Sequence, residues 1–304
     1  SGRPGAVTDD TTLRHYVCLA IVRKGGRITP DDAARVWLND LNPERFATPD
    51  RATWLKLKAG MSPWDAGCGN IPSACATMAM APIGIINAGN PAQAYQDGFN
   101  IASIDCDGSN RDAAATLAAG IAAALLPRAS VADVLEVMTH HSNYLVRRAI
   151  ELTMDLAHAS DSVDAFAAQF YNKLIDWWSR PKLTWMKEHF ATGTSTETVT
   201  LSMAIFYLCN GDVNRCLVEG ANFGRDADAI ASLSATLAGA MQGASAIRPG
   251  WIQTVERANE EFFAECEGDP KANFYTMAVR LVEALKAEQQ AALARARLLE
   301  EILQ

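Results

Sequence analysis

No stretch of the 304 residues runs for about 20 apolar positions without a polar interruption, so a membrane-spanning helix is not expected. Basic residues are in the minority. Against 35 Asp and Glu stand 27 Lys and Arg, a formal net charge of −8. That balance excludes a general nucleic-acid binder, which needs a basic surface. It leaves room for an anionic small molecule, because a bound cation reverses the local field. Runs of alternating β-branched residues are missing, so strands are not supported. The seven cysteines form no CxxC pair, and an odd count without a dense framework points to free thiols in a reducing compartment. No secretory signal opens the chain, and a soluble cytoplasmic protein is the default expectation. Internal repeats and long Ser/Gly linkers are also missing.

Helical periodicity fills most of the chain instead. Hydrophobic residues make up 49%, enough for a sizeable core. Apolar positions recur at helical spacing after residue 8 and over 30–40, 91–104, 110–126, 130–141, 144–158, 162–178 and 196–209. The spacing predicts one all-α domain with short connections. Residues 41–72, with Pro43, Pro49, Gly60, Pro63, Gly67, Gly69 and Pro72, read as a long irregular loop, the kind that often carries function. Residues 270–304 read as a terminal helix that docks at its start and is solvated at its far end.

Two acidic clusters stand out. Thr-Asp-Asp-Thr at 8–11 precedes an apolar run. As a helix start, Thr8 would cap and Asp9 and Asp10 would sit in the first turn, where free N–H groups favour negative charge; Gly25 and Gly26 would stop the helix. As a metal site, adjacent carboxylates and a hydroxyl offer hard oxygen ligands to a cation such as Mg²⁺. Asp226 and Asp228 form a second cluster, after Gly224 and again at a helix start. If the two clusters meet, four carboxylates would repel strongly unless a cation held them.

Smaller signals stay open between a ligand role and a structural one. Gly67, Gly69, Asn70 and Ser73 could cradle a phosphate or form a tight turn before a helix. Asp105 and Asp107 could touch a ribose or cap the helix that follows. His140 and His141 are adjacent, so they diverge on a helix and make a poor metal pair. Cys68 and Cys75, near the loop, show no nucleophile setting but are the thiols to test. Trp177 and Trp178 suit packing more than a base-stacking platform.

In order along the chain, TDDT at 8–11, MAMAPIGI at 78–85, Thr196-Glu-Thr-Val199 and Asn222-Phe-Gly-Arg-Asp-Ala-Asp-Ala229 resemble the motifs of the ADP-ribosylglycohydrolase family, whose second metal motif is closer to GGDTDT. The likeness runs from about residue 7 to 255. It implies a binuclear Mg²⁺ centre with Thr8, Asp9, Asp10, Asp226 and Asp228 as ligands. Asp9, Asp10 and Asp226 would carry catalysis, and Gly67, Gly69, Asn70, Ser73 and Asp105 would line the substrate. The implied reaction is cleavage of a ribosyl glycosidic bond in an ADP-ribosylated protein or a related small molecule, through an oxocarbenium-like transition state.

Departures qualify that expectation. Ala229 stands where the family pattern has Thr or Ser, so one tight Mg²⁺ is expected, with a second weak or absent. Ser73, Ala74 and Cys75 replace the usual Gly-Asn-Gly, and Ala79 the usual Arg. The family's GDALG-like segment, which often carries its catalytic acid, would precede Ser1, so the general acid stays open. A catalytically impaired ADP-ribose binder, or a structural protein like the J-crystallins of the same fold, is the alternative.

Overall fold

The computed structural model describes residues 4–46, 48–174 and 194–304. The protein is all-α, with no strand among the described residues. The helices are α1 (Asp9–Lys24), α2 (Pro30–Asp40), α3 (Thr48–Lys58), α4 (Cys75–Met78), α5 (Ala81–Ile86), α6 (Pro91–Ala102), α7 (Ser109–Ala124) and α8 (Val131–His141). They continue with α9 (Tyr144–His158), α10 (Val163–Gln169), α11 (Ser195–Leu208), α12 (Val213–Phe223), α13 (Ala227–Gln242), α14 (Pro249–Ala258), α15 (Glu260–Glu267) and α16 (Phe274–Ile302).

Helix α7 lies at the centre. It packs against α4, α5, α6, α8, α9, α11 and α13. Its sequence explains the placement. From Asp112 to Ala124 every residue is buried, and most are alanine, which lets neighbouring helices approach closely from all sides. A helix that is apolar all round belongs in the interior. Helix α11 is the second interior helix, buried from Ser195 to Phe206. Two of its hydroxyls turn back onto the helix: Thr200 donates to the carbonyl of Thr196 at 3.0 Å and Ser202 to that of Thr198 at 2.6 Å. The amphipathic helices α2, α8 and α9 lie outside, and capping boxes at Thr29–Asp32 and Ser130–Asp133 fix the starts of α2 and α8. One hydrophobic cluster takes in residues from Leu13 on α1 to Ala284 on α16.

Several sequence expectations shift. The stretch 41–72 is not irregular throughout. It contains α3 and a 3₁₀ turn at Pro43–Arg45. Pro49 sits in the first turn of α3, where a missing N–H costs nothing, so the proline marks a helix start and not a loop. The stretch 162–178 splits into α10 and a π-helical turn at Phe170–Leu174. The rest of it, with Trp177 and Trp178, lies outside the described residues. Helix α16 is held as far as Glu288, whose carboxylate accepts from the backbone N–H of Arg27 at 2.6 Å; from 289 on it is exposed. No described helix is long and apolar enough to cross a membrane.

Candidate active site

Helices α1 and α13 begin on the same part of the molecule, and the side chains that sequence pairs by spacing are paired here by packing. Asp10 is 7% exposed, and its pKa is pushed up to about 7. Burial is the main cause; next comes the charge of Asp228, with Asp226 and Asp9 adding to it and the Arg14 guanidinium opposing. Asp226 is likewise raised, by burial first, then by Asp228, which also shares a hydrogen bond with it, then by Glu197 and Asp9. Asp9, Asp10, Asp226 and Asp228 therefore act on one another across more than 200 residues of sequence.

The helix starts do not consume these groups. Thr8 is the N-cap of α1, but its side chain makes no capping hydrogen bond, which corrects the capping expectation. Asp226 is the N-cap of α13, also without a side-chain bond to the helix. Asp10 Oδ2 is buried with no hydrogen-bond partner, a costly state for a carboxylate oxygen. Four oxygen-bearing side chains and one orphaned buried oxygen fit a hard cation. Among the described residues, the three-ligand set whose atoms all lie within 4.8 Å of one another is a different one, Asp50, Cys75 and Asp105.

Three residues that no motif assigned a role support the cluster. Arg14, one turn after Asp10, donates Nε to the carbonyl of Met78 at 3.1 Å and its η2 nitrogen to Ser232 Oγ at 2.8 Å, tying α1 to α4 and α13. Arg225 and Glu197 form a two-pronged ion pair at 2.9 and 2.6 Å, with side chains 7% and 2% exposed. Gly224 turns the chain out of α12 at φ 87°, and Arg225 follows at φ 60°. That left-handed conformation costs a non-glycine residue about 1–2 kcal/mol, and the buried pair with Glu197 holds it. The signal was present in the sequence: an arginine where the resembled pattern GGDTDT has its second glycine.

The loop residues turn inward. The N–H of Gly67 donates to Ser103 O at 2.8 Å, that of Cys68 to Asp65 O at 2.9 Å and that of Asn70 to Gly67 O at 3.1 Å. The Asn70 side chain donates to Thr53 Oγ1 and Asp105 O and accepts from Lys56 Nζ at 2.6 Å. A Cβ on Gly67 would stand 2.5 Å from the backbone N and O of Cys106. Gly67 and Asn70 therefore serve close packing, which corrects the phosphate-cradle expectation for both. The Ser73 carbonyl accepts from the Ser195 N–H and hydroxyl, joining this loop to α11, while Gly69 has open space around it. Asp105 is 4% exposed and accepts from Thr53 Oγ1 at 2.9 Å, so in this structure it faces a buried network and not an open substrate cleft. Neither the Asp105 nor the Asp107 side chain caps α7, whose N-cap is Gly108; the Asp107 side chain accepts from the adjacent Gly108 N–H and its carbonyl from the Asn110 N–H.

The sequence profile of the ADP-ribosylglycohydrolase family matches residues 1–291. The chain belongs to that family, a class of glycohydrolases acting on ADP-ribose-related substrates. Among curated proteins it is similar to the uncharacterized protein YegU of Escherichia coli (strain K12), with 23% identity over 275 residues that cover 83% of this chain and 76% of that protein.

Proposed function

We propose that this chain is a Mg²⁺-dependent glycohydrolase that cleaves a ribosyl glycosidic bond in an ADP-ribosylated protein or a related nucleotide or nucleoside. The observation that carries the reading is the meeting of Asp9 and Asp10 with Asp226 and Asp228, leaving Asp10 Oδ2 buried and unpartnered. Asp9, Asp10, Asp226 and Asp228, with the exposed Thr8 hydroxyl, would hold the cation. When bound, Mg²⁺ would supply Lewis-acid charge for orienting a ribose and activating a water. The carboxylates would stabilise the positive charge that develops as the glycosidic bond lengthens. Glu197, gripped by Arg225, lies near enough for its charge to act on Asp226 and adds to the negative field of the cluster.

The test is hydrolysis of ADP-ribosyl-arginine, ADP-ribosyl-serine and simple nucleosides, each with Mg²⁺ and with EDTA. Turnover that needs Mg²⁺, and that drops about 100-fold or more in Asp226→Asn, is the expected result. No turnover of any of the three substrate types by folded, Mg²⁺-binding protein would overturn the enzyme reading. Ala229 favours a second reading, since a fully buried methyl stands where the resembled motif carries a hydroxyl ligand. A protein that bound ADP-ribose in calorimetry and cleaved nothing would be that binder.

A further inference from the structure

We infer that Asp50, Cys75 and Asp105 form a second cation site, for one thiophilic divalent ion of the zinc(II) or cobalt(II) kind, separate from the aspartates at the starts of α1 and α13. Each of the three offers one ligand atom, and these atoms lie within 4.8 Å of one another. The residues are 0%, 7% and 4% exposed. Cys75 Sγ and Asp50 Oδ2 are 3.5 Å apart, the spacing of two ligands that each sit about 2.0–2.3 Å from one tetrahedral ion.

Two oxygens point to a missing partner. Asp50 Oδ1 and Asp105 Oδ2 are buried with no hydrogen bond. The polar side chains that lead away from Asp105 do find partners. Asp105 Oδ1 accepts from Thr53 Oγ1 at 2.9 Å; Thr53 accepts from Asn70 at 2.7 Å; Asn70 accepts from Lys56 Nζ at 2.6 Å. Lys56 is fixed further by the carbonyls of Ala66 and Cys68 at 3.0 and 2.8 Å. That chain is the kind of outer support that orients a ligating carboxylate. A cavity of about 20 Å³ borders Cys75 and Asp105; the rest of its lining is apolar and it does not reach Asp50.

The donor set chooses the metal. A thiol is a poor partner for Mg²⁺ and a good one for zinc or cobalt, whereas the all-oxygen cluster at the helix starts has the opposite preference. Binding converts the Cys75 thiol to thiolate, and the proton it now shares with Asp50 leaves to solvent. The ion would join α3, α4 and the turn between α6 and α7 beneath the 59–74 loop. Without a metal, the alternative is one proton shared between Asp50 and Asp105.

The experiment uses the full chain, stripped with EDTA and dialysed. Cobalt(II) is then titrated into the folded protein and, separately, included during refolding, so that a closed site is still loaded. The expected result is a thiolate-to-cobalt charge-transfer band that saturates at one equivalent and is displaced by zinc(II). Cys75→Ser should remove the band, and Asp50→Asn should weaken zinc binding by at least about tenfold. Cys68→Ser, which alters the exposed thiol nearby, and Asp226→Asn should both keep the band. Persistence in Asp226→Asn separates this site from the proposed hydrolytic centre, since it needs neither Mg²⁺ nor turnover. No band in folded parent protein by either route would overturn the inference in favour of the shared proton. A band that survived Cys75→Ser would overturn it too.

Discussion

The two acid-rich clusters of this protein sit near enough for Asp9 to act on Asp50, yet they are built in opposite ways. The first gathers Asp9, Asp10, Asp226 and Asp228 at two helix starts, with Asp228 exposed and Asp10 buried. The second draws Asp50, Cys75 and Asp105 into a closed interior set under a loop whose N–H groups are turned inward. Solvent access makes the difference. An open cluster can spread its charges and exchange a hydrated cation with water, whereas a closed one must neutralise its charges on the spot, with a proton or a dry ion.

The largest expected effect tests the open cluster through pH. In the metal-free protein the Asp10 carboxyl titrates at about 7, against an ordinary value of 3.8. Between those values the folded chain binds more protons than the unfolded one, so stability falls as pH rises from about 4 to about 7, by up to about 4 kcal/mol from this group. A cation on the ionised carboxylate removes the loss. The rise in Tm on adding Mg²⁺ should therefore be small at pH 5 and large at pH 8. It should vanish in Asp10→Asn and persist in Cys75→Ser. A Mg²⁺ shift equal at both pH values, or lost in Cys75→Ser, would merge the two clusters into one.

Next in size is a test of the closed cluster's lid. In Gly67→Ala the new methyl meets the backbone of Cys106 at 2.5 Å and Ser103 O at 2.7 Å, and backbone cannot step aside. Overpacking of that kind costs about 3 kcal/mol. Gly69→Ala, two residues on, meets nothing within 4 Å and carries only the left-handed penalty at φ 73°, about 1 kcal/mol. Urea midpoints of the two variants measure the difference. The reverse order would mean that Gly67 is not a packing glycine.

The smallest effect sharpens the open cluster. Ala229→Thr supplies the hydroxyl that the resembled motif carries, and Mg²⁺ affinity should rise by up to about tenfold, or about 1.4 kcal/mol. Because Ala229 is fully buried, a melting curve must accompany the titration. Unchanged affinity in a folded variant would remove this position from the site.

Much of this was legible in the residues. The helices at 9–24, 30–40 and 144–158 follow from local patterning, because amphipathic spacing, first-turn acids and glycine stops act within a few residues of one another. The order of the TDDT, MAMAPIGI and RDADA segments was enough to place the chain in its family. Helix α3 was hidden because Pro49 reads as a breaker until its position in the first turn is known.

What the sequence determined by itself is therefore the local chemistry: which segments are helical, and that two pairs of aspartates stand at helix starts. Only the tertiary structure decided what those side chains meet. Asp10 is raised by burial and then by Asp228, 218 residues away, Arg225 is held by Glu197, and Asp50 and Asp105 are left with unpartnered oxygens beside a thiol. The reason is one of range. Backbone preference is set by near neighbours, whereas desolvation and charge interaction depend on which distant segments pack together, and no spacing rule in one chain records that.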